Sequence, residues 1–476
     1  MAFRTNVGHP PDTEVSCPHS RMTFDRFVAS LLFVGISVLA CLMPAHNDTW
    51  WHLRAGYDML AARSVLLTET FSHTAYGTPW ANYEWLGEVI FAAVHRLGGM
   101  PLLTAVCAGA VSGGVAFVYA SIEKQGMTAP LLLAAIVAGG TSTWSVRPQT
   151  FSLLALGLTV WLIRTRRSLW LPLVVVVWAN LHGAVAYGAV LVAGLVAGHA
   201  WHERGVPWKV LAIAALCAAA PAISPLGLSY WWDIAEGVRL SRLNEVAEWR
   251  RTDAPPAHLV FWAIAATLPV AVALRHRRLP SAESKSLACG ALLLLPLAAL
   301  SMRNVPAFLM VAATALSLLL VPRRAVRPER HDRTMPHLVM LGIAAAIALV
   351  VVAGTWSNPP ERLSWHPMSP AAATAVEDCR GPLYNRFEDG GPIVFFAPEQ
   401  KVLLDSRVTP YPASLMRHQA VIEVTGDYRP LFEEHGINCA ALPPQSIVAA
   451  RLRADGWQTR FQDPQWVVLE RVFPAP

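Results

Sequence analysis

Long apolar runs constrain this chain more than anything else in it. Leu, Ala and Val fill stretches at 27–44, 101–121, 129–145, 148–163, 169–185, 186–201, 209–223, 257–274, 286–302, 304–321 and 337–355, and short Arg-rich clusters separate them. Most run 16–21 residues, close to the roughly 20 that a helix needs to cross a bilayer core. In lipid each backbone N–H and C=O must be bonded within its own segment, so such runs fold as helices. The expected fold is a polytopic α-helical membrane protein of about 11 spans. Only 15% of residues are charged and the mean hydropathy is +0.39, against roughly 25% charged in an ordinary soluble chain. That excludes disorder, a fibrous repeat and a purely soluble enzyme. The net charge of +6 does not indicate nucleic acid, because the arginines lie between apolar runs, where orientation in the membrane explains them.

Charge sets the orientation. With the N-terminus in the cytoplasm, about twice as many Arg and Lys fall on the cytoplasmic connections as on the opposite ones, as the positive-inside bias requires. Residues 1–26 are then a polar cytoplasmic tail without a signal-peptide cleavage pattern. Residues 27–355 form the membrane body, 356–370 a Pro-rich linker, and 371–476 an extracytoplasmic domain. The weakest step is 169–201, where two spans share one tight turn; a single span there would invert everything after it.

The C-terminal domain alternates helical and strand patterns. AAATAVEDC, SLMRHQAVIEV, DYRPLFEEHG and QSIVAARLRADG have helical character. PLYNRF, PIVFFAP, KVLLDSR and INCAALP resemble strands, and WQTRFQ with WVVLERV a closing hairpin. The expectation is a small α/β layer with a mainly parallel sheet, with Gly390-Gly391 turning between strands. Cys379 and Cys439 are expected as buried thiols in preference to a disulfide. Cys41, Cys107, Cys217 and Cys289 lie in apolar runs as small fillers, and no cysteine spacing suggests zinc.

Loop 45–86 is the most informative segment, being about forty residues long where most connections are under ten. Trp50, Leu53, Tyr57 and Leu60 recur at helical spacing, so 49–63 is expected as an amphipathic helix on the membrane surface. His52, Arg54 and Asp58 fall off that stripe. A second helix near 83–97 carries Glu84, Glu88 and His95 along one side. Asp48 at the helix start has an ordinary structural role open to it, as an N-cap, and Glu84 another, as a first-turn acid behind Asn82. Against those roles stands the company they keep. Arg147, Asn180, His182, Glu245, Glu248 and Arg303 all lie at the same ends of later spans, and ionisable groups at membrane depth are costly unless they have a function.

A segment order of this kind resembles the GT-C class of glycosyltransferases, which use polyprenyl-phosphate-linked sugars and include the protein O-mannosyltransferases and the lipid A aminoarabinose transferases. The resemblance rests on an acid just after the first span, a long first exported loop, a multi-span body and a C-terminal exported domain. More closely, DTWWHLRAG, FSHTAYGTPWANYEWLGEV, RPQTFSLL, WANLHG, AEW and GGPIVFFAPEQKVLLDSR resemble a group of bacterial membrane proteins of that kind. The resemblance implies an inverting transfer of a hexosyl or pentosyl unit from a lipid-linked donor to a glycan, lipid or protein acceptor in the bacterial inner membrane. It carries the catalytic aspartate to Asp48, with Glu84 or Asp58 as a second acid. No Asp-Asp or Asp-Glu pair follows the first span, unlike protein mannosyltransferases, and Trp231-Trp232-Asp233 continues as Ile-Ala, unlike oligosaccharyl transfer to Asn. The resemblance leaves a divalent cation open and implies no other cofactor.

The chemistry asks for a carboxylate to take the acceptor proton and cations to meet the leaving phosphate. Asp48 is the expected base and Glu84 the second catalytic acid; His52, Arg54, Arg147, Asn180, His182, Glu248 and Arg303 are the candidates for substrate contact. Two other classes fit less well. A flippase or transporter should show inverted repeats or paired broken spans, and a scaffold that merely displays the C-terminal domain has no need of converging acids and arginines.

Overall fold

The computed structural model describes residues 22–321 and 334–471 apart from 125, 204 and 245. Most of the expected tail, with Cys17, the Arg-rich stretch 322–333 and Glu245 lie outside the described residues. In chain order the membrane body holds α1 (Phe24–Cys41), α2 (Asn47–Ala62), α3 (Trp85–Ser121), α4 (Thr128–Gly140), α5 (Gln149–Arg164), α6 (Leu171–Leu181), α7 (Ala186–Glu203), α8 (Trp208–Ala219), α9 (Tyr230–Leu243), α10 (Leu259–Arg275), α11 (Ala282–Leu300), α12 (Val305–Leu320) and α13 (Thr334–Ser357). Each of the eleven apolar runs coincides with one of these helices. Among the described residues seven are long and apolar enough to cross a membrane: α1, α3, α7 and α10 to α13. The pair α8 and α9 counts as an eighth if its 117° bend is one broken span, and α4, α5 and α6 are apolar but short. The doubtful stretch 169–201 is two helices that meet at His182, whose backbone is extended.

Glycines divide α3. Gly98 and Gly99 leave helical geometry, Gly99 with φ of 61°, which a side chain would resist. The surface helix expected near 83–97 therefore ends there, and the segment from Met100 starts a new helix with Pro101 in its first turn.

The C-terminal domain comprises α14 (Pro370–Glu377), β1 (Leu383–Tyr384), α15 (Gly390–Phe396), α16 (Ala413–Thr425), α17 (Arg429–Glu434), β2 (Cys439–Leu442), α18 (Ile447–Ala454), β3 (Gln458–Gln462) and β4 (Val467–Glu470). The sheet order is β1-β2-β4-β3. Only β1 and β2 pair in parallel; β2–β4 and β3–β4 are antiparallel, so the mainly parallel sheet is corrected to a mixed one. Two expected strands also go elsewhere. GGPIVFF is α15, because it packs on α2 so closely that a Cβ on Gly391 would stand 2.2 Å from the Asn47 carbonyl oxygen. KVLLDSR stays out of the sheet: its backbone partners are in the first loop, where Val402 N–H donates to Phe71 O at 3.1 Å and His73 N–H to Val402 O at 3.0 Å. Cys379 and Cys439 are joined in a disulfide, correcting the expectation of two thiols; it ties the residue following α14 to the start of β2.

The first loop and the C-terminal domain share one apolar core. Trp51, Ala55, Met59, Phe71 and Trp80 pack with Met368, Val376, Leu383, Ile393 and Val468. This changes the reading of α2. Trp50 and Leu53 are buried as its stripe requires, yet Trp51, His52 and Met59 on the other side are buried as well, while Leu60 is exposed. The helix is held between α3 and the exported domain.

Candidate functional site

The turns at one end of the helices supply the site. Asp48 follows α1, Arg147 lies between α4 and α5, His182 between α6 and α7, Glu248 between α9 and α10, and Arg303 between α11 and α12. With His52 and Glu84 they line a cavity of about 630 Å³, roofed by Phe387, Ser406, Arg407, Thr409 and Gln419 of the C-terminal domain. Two candidates face elsewhere. Arg54 pairs with Asp58 at 3.0 Å and donates to the Val394 carbonyl at 3.1 Å. Asn180 accepts the Trp85 indole N–H at 2.7 Å and donates to Val176 O and Ile223 O, so it ties helix ends together.

Asp48 does not cap its helix. His46 does: its Nδ1 accepts the Asp48 N–H at 3.2 Å, while Thr49 Oγ1 accepts the His46 N–H at 2.8 Å. The Asp48 carboxylate points into the cavity. Arg147 Nη1 donates to its Oδ2 at 2.8 Å, the Ser406 hydroxyl donates to Oδ1, and the Trp51 indole reaches Oδ1 at 3.4 Å. Burial presses this carboxyl upward, but His46, Arg147 and Ser406 outweigh it and hold it well below the usual carboxylate range.

From Asp48 the polar contacts run on without a break. Arg147 Nη2 donates to Glu248 Oε2 at 3.3 Å, and Arg303 pairs with the other oxygen of Glu248. Arg303 Nη2 lies 3.3 Å from His182 Nε2, and that nitrogen lies 3.4 Å from Glu84 Oε1. The His182 ring is held from both sides. The Trp178 indole N–H donates to Ser152 Oγ at 2.7 Å, Ser152 Oγ lies 2.8 Å from His182 Nδ1, and Ala184 N–H addresses the same nitrogen; Nε2 stands between the Arg303 guanidinium and Glu84 Oε1. Glu84 precedes α3 but makes no side-chain cap bond. Its second oxygen lies 3.4 Å from His52 Nε2, and His52 Nδ1 lies 3.1 Å from Glu88 Oε1. Asn82 Nδ2 donates to Glu88 Oε2 at 2.7 Å.

Burial pushes Glu84 up to about 7, with Arg303 opposing and Asp48 adding to the rise. Burial likewise lowers His52 to about 3, against the pull of Asp48. The two acids of one cavity are thus set far apart, the pattern that separates a group able to exchange a proton near neutrality from one that stays charged. The open question of a divalent cation has a geometric answer. Arg147 and Ser406 take the oxygens of Asp48, and among the described residues no group of three or more His, Cys, Asp or Glu side chains could hold a metal ion. The donor set does not fit one.

Sequence reasoning missed His46, Glu88, Ser406 and Arg407 as members of this site. Glu88 carried a signal, one turn after Glu84 on the same side of the helix. Ser406 and Arg407 carried none, because nothing local in KVLLDSR shows that it docks on the first loop.

Solved structures resemble this arrangement. The Archaeoglobus fulgidus oligosaccharyltransferase in its apo form matches 87% of this chain and 69% of its own, with a TM-score of 0.58 and 11% identity. The archaeal oligosaccharyltransferase AglB from Archaeoglobus fulgidus, in complex with an inhibitory peptide and a dolichol-phosphate, matches 88% of this chain and 69% of its own at TM-score 0.54 and 11% identity. The chain has the GT-C fold. ArnT from Cupriavidus metallidurans bound to undecaprenyl phosphate covers 93% of this chain and 97% of its own at 13% identity and TM-score 0.48. No protein-family model matches the sequence, and no curated protein does. The GT-C fold is a helical membrane fold, and it agrees with the apolar helices seen here.

Proposed function

We propose that this chain is a membrane glycosyltransferase that moves a sugar from a polyprenyl-phosphate donor to an extracytoplasmic acceptor hydroxyl. The observation that carries the reading is the convergence of Asp48, Glu84, Arg147, His182, Glu248 and Arg303 from separate helix turns into one cavity. A lipid phosphate bound to a protein of the same fold, the dolichol-phosphate of AglB, supports the donor class.

Glu248 bridges Arg147 and Arg303, so an anion is already favoured between them. The donor phosphate takes that place, and the two guanidiniums meet its charge as the bond breaks. In the step itself the acceptor oxygen forms a bond to the anomeric carbon from the face opposite the phosphate. The carbon–oxygen bond to phosphate breaks with its electron pair leaving on the phosphate oxygen, and the acceptor proton passes to a carboxylate. That displacement inverts the anomeric centre, for a hexosyl or a pentosyl unit. The sequence placed the base at Asp48. The pull of Arg147 and Ser406 makes Asp48 a weak base, whereas Glu84 titrates near neutrality and suits proton transfer better. Asp48 keeps Arg147 in place and faces the positive charge that develops on the sugar ring.

All eleven apolar helices cross or enter the inner membrane in this reading, with the N-terminus cytoplasmic and the C-terminal domain outside. The Cys379–Cys439 disulfide supports that side, because disulfides persist in oxidising compartments. Ser406, Thr409, Phe387 and Gln419 line the cavity from the exported domain, which supports acceptor positioning as its role. The test is release of polyprenyl phosphate from a labelled polyprenyl-phosphate sugar by the purified full chain. Wild type should release it; Glu84→Gln and Asp48→Asn should not. A wild-type chain that binds the donor yet releases nothing to any hydroxyl acceptor or to water would sink the reading in favour of a carrier or scaffold.

A further inference from the structure

Proton counting around His52 gives a result that the acid–base assignment does not contain. Its two ring nitrogens face two carboxyls, Glu84 at 3.4 Å and Glu88 at 3.1 Å. A neutral imidazole has one N–H, so it can donate to only one of them. The carboxyl facing the bare nitrogen must bring its own proton. An imidazolium would satisfy both, but His52 is buried and burial holds the ring neutral, at about 3.

The neighbours decide which carboxyl carries the proton. Glu84 Oε1 lies 3.4 Å from His182 Nε2, and the cations Arg303 and Arg147 stand on the same side. Glu84 lines the cavity, where water reaches it. Glu88 is fully buried, and its second oxygen accepts the Asn82 amide N–H. We infer that Glu88 rests as a carboxylic acid that donates to His52 Nδ1, so that His52 Nε2–H is aimed at Glu84 and keeps it an ionised, oriented acceptor.

In this state each partner is matched. Glu88 Oε1–H donates to Nδ1, Glu88 Oε2 accepts from Asn82, and Glu84 Oε2 accepts from His52 Nε2–H. The opposite distribution, with the proton on Glu84, leaves a bare carboxylate at the fully buried site, which is the costlier arrangement. Glu88 is therefore a positioning residue: it acts on Glu84 through the His52 tautomer and touches no substrate. The other charged groups that reach the three side chains are Asp48, which acts on Glu84 and His52, His46, which acts on His52, and Arg407, which acts on His52 and Glu88; none of them hydrogen-bonds Glu88 or His52 among the described hydrogen bonds.

The inference rests on the glycosyltransfer reading only for its consequence in catalysis, and its first test needs no substrate. Infrared spectra of the full chain at about pH 9, where Glu84 with its value of about 7 is ionised, report the C=O stretch of a carboxylic acid that stays protonated. The band should be present in wild type, absent in Glu88→Gln and retained in Glu84→Gln. A band that survives Glu88→Gln, or one that vanishes in Glu84→Gln, overturns the inference. The second test is kinetic. The amide introduced by Glu88→Gln can donate to His52 and accept from Asn82 as the acid does, so this variant should keep about a tenth or more of kcat, whereas Glu88→Ala should lose about 100-fold. Equal losses in both would mean that Glu88 works as an anion, and would also overturn it. If no form of the chain transfers sugar, the infrared result still decides this inference while the proposed function falls.

Discussion

Two clusters of arginine and carboxylate face the same cavity, and they are built on opposite principles. Arg407 is buried and clamped: its Nε and Nη2 donate to Asp405 at 2.9 and 2.7 Å, Glu69 pairs with Nη1, and the rings of Phe71 and Trp80 lie 4.6 Å away. Its two acids come from the first loop and from the exported domain, so the cluster fastens one to the other. Arg147 and Arg303, by contrast, meet at the carboxylate of Glu248 on the cavity wall, with Asp48 on the other side of Arg147. A buried cation shared between two acids has little left to offer a ligand. A pair of cations with one exchangeable carboxylate between them does. The same residue types thus serve architecture in one place and, in the proposed function, substrate in the other.

The sharpest way to break this distinction is at the acids. Glu84→Gln should cost about 100- to 10,000-fold in kcat, the range for a lost proton acceptor, with no change in unfolding temperature. Asp48→Asn should fall in the same range, because the charge facing Arg147 and the reacting sugar is gone. His46 provides the helix cap, so the fold does not depend on Asp48 for it. Sugar transfer and thermal unfolding measured on one preparation separate the two effects; an active Glu84→Gln would return the base to Asp48.

Arg407→Met should do the reverse. Leaving Asp405 and Glu69 buried without a cation costs about 3–5 kcal/mol, read as early melting of the exported domain. A variant that melts like wild type but no longer transfers sugar would place Arg407 among the substrate contacts and collapse the contrast.

The difference between these clusters also marks what was legible in the sequence. Apolar runs translate into helices almost one for one, because a segment that must satisfy its own backbone has a single solution. The convergence of Asp48, Glu84, Arg147, His182, Glu248 and Arg303 was legible for a related reason: alternating helices bring every second turn to the same end. Arg54 and Asn180 lie outside the cavity, and polarity at a span end does not reveal whether a backbone carbonyl or a cavity receives it. The errors in the exported domain have another cause. PIVFFAP and KVLLDSR have strand composition, but α2 and the first loop took their faces, and contacts some 330 residues apart in sequence leave no local trace.

A smaller effect concerns pH. Burial raises Glu84 to about 7, so the acid form persists up to neutrality and the base form dominates above it. The rate should therefore fall about tenfold for each pH unit below 7 and level off above it. Asp48, held well below the usual range, stays ionised throughout and adds no limb near neutrality. Arg303 opposes the rise, so Arg303→Gln should move the limb to higher pH. A rate that instead climbs as pH drops would make Glu84 an acid in the reaction.

The smallest effect expected is at Trp249, whose ring lies 5.3 Å from the Arg303 guanidinium and lines the cavity. A cation–π contact of this exposure is worth about 0.5–1 kcal/mol. Its consequence depends on which cluster Arg303 resembles. If Arg303 were fixed as firmly as Arg407, losing the ring would change little. Held by Glu248, His182 and Trp249 at the cavity edge, it should lose orientation toward the donor phosphate. Trp249→Leu should accordingly raise KM for the lipid-linked sugar about two- to fivefold with kcat nearly unchanged, the signature of lost uniform binding. A fall in kcat with KM constant would mean that Trp249 instead acts on the transition state, as a platform for the sugar ring.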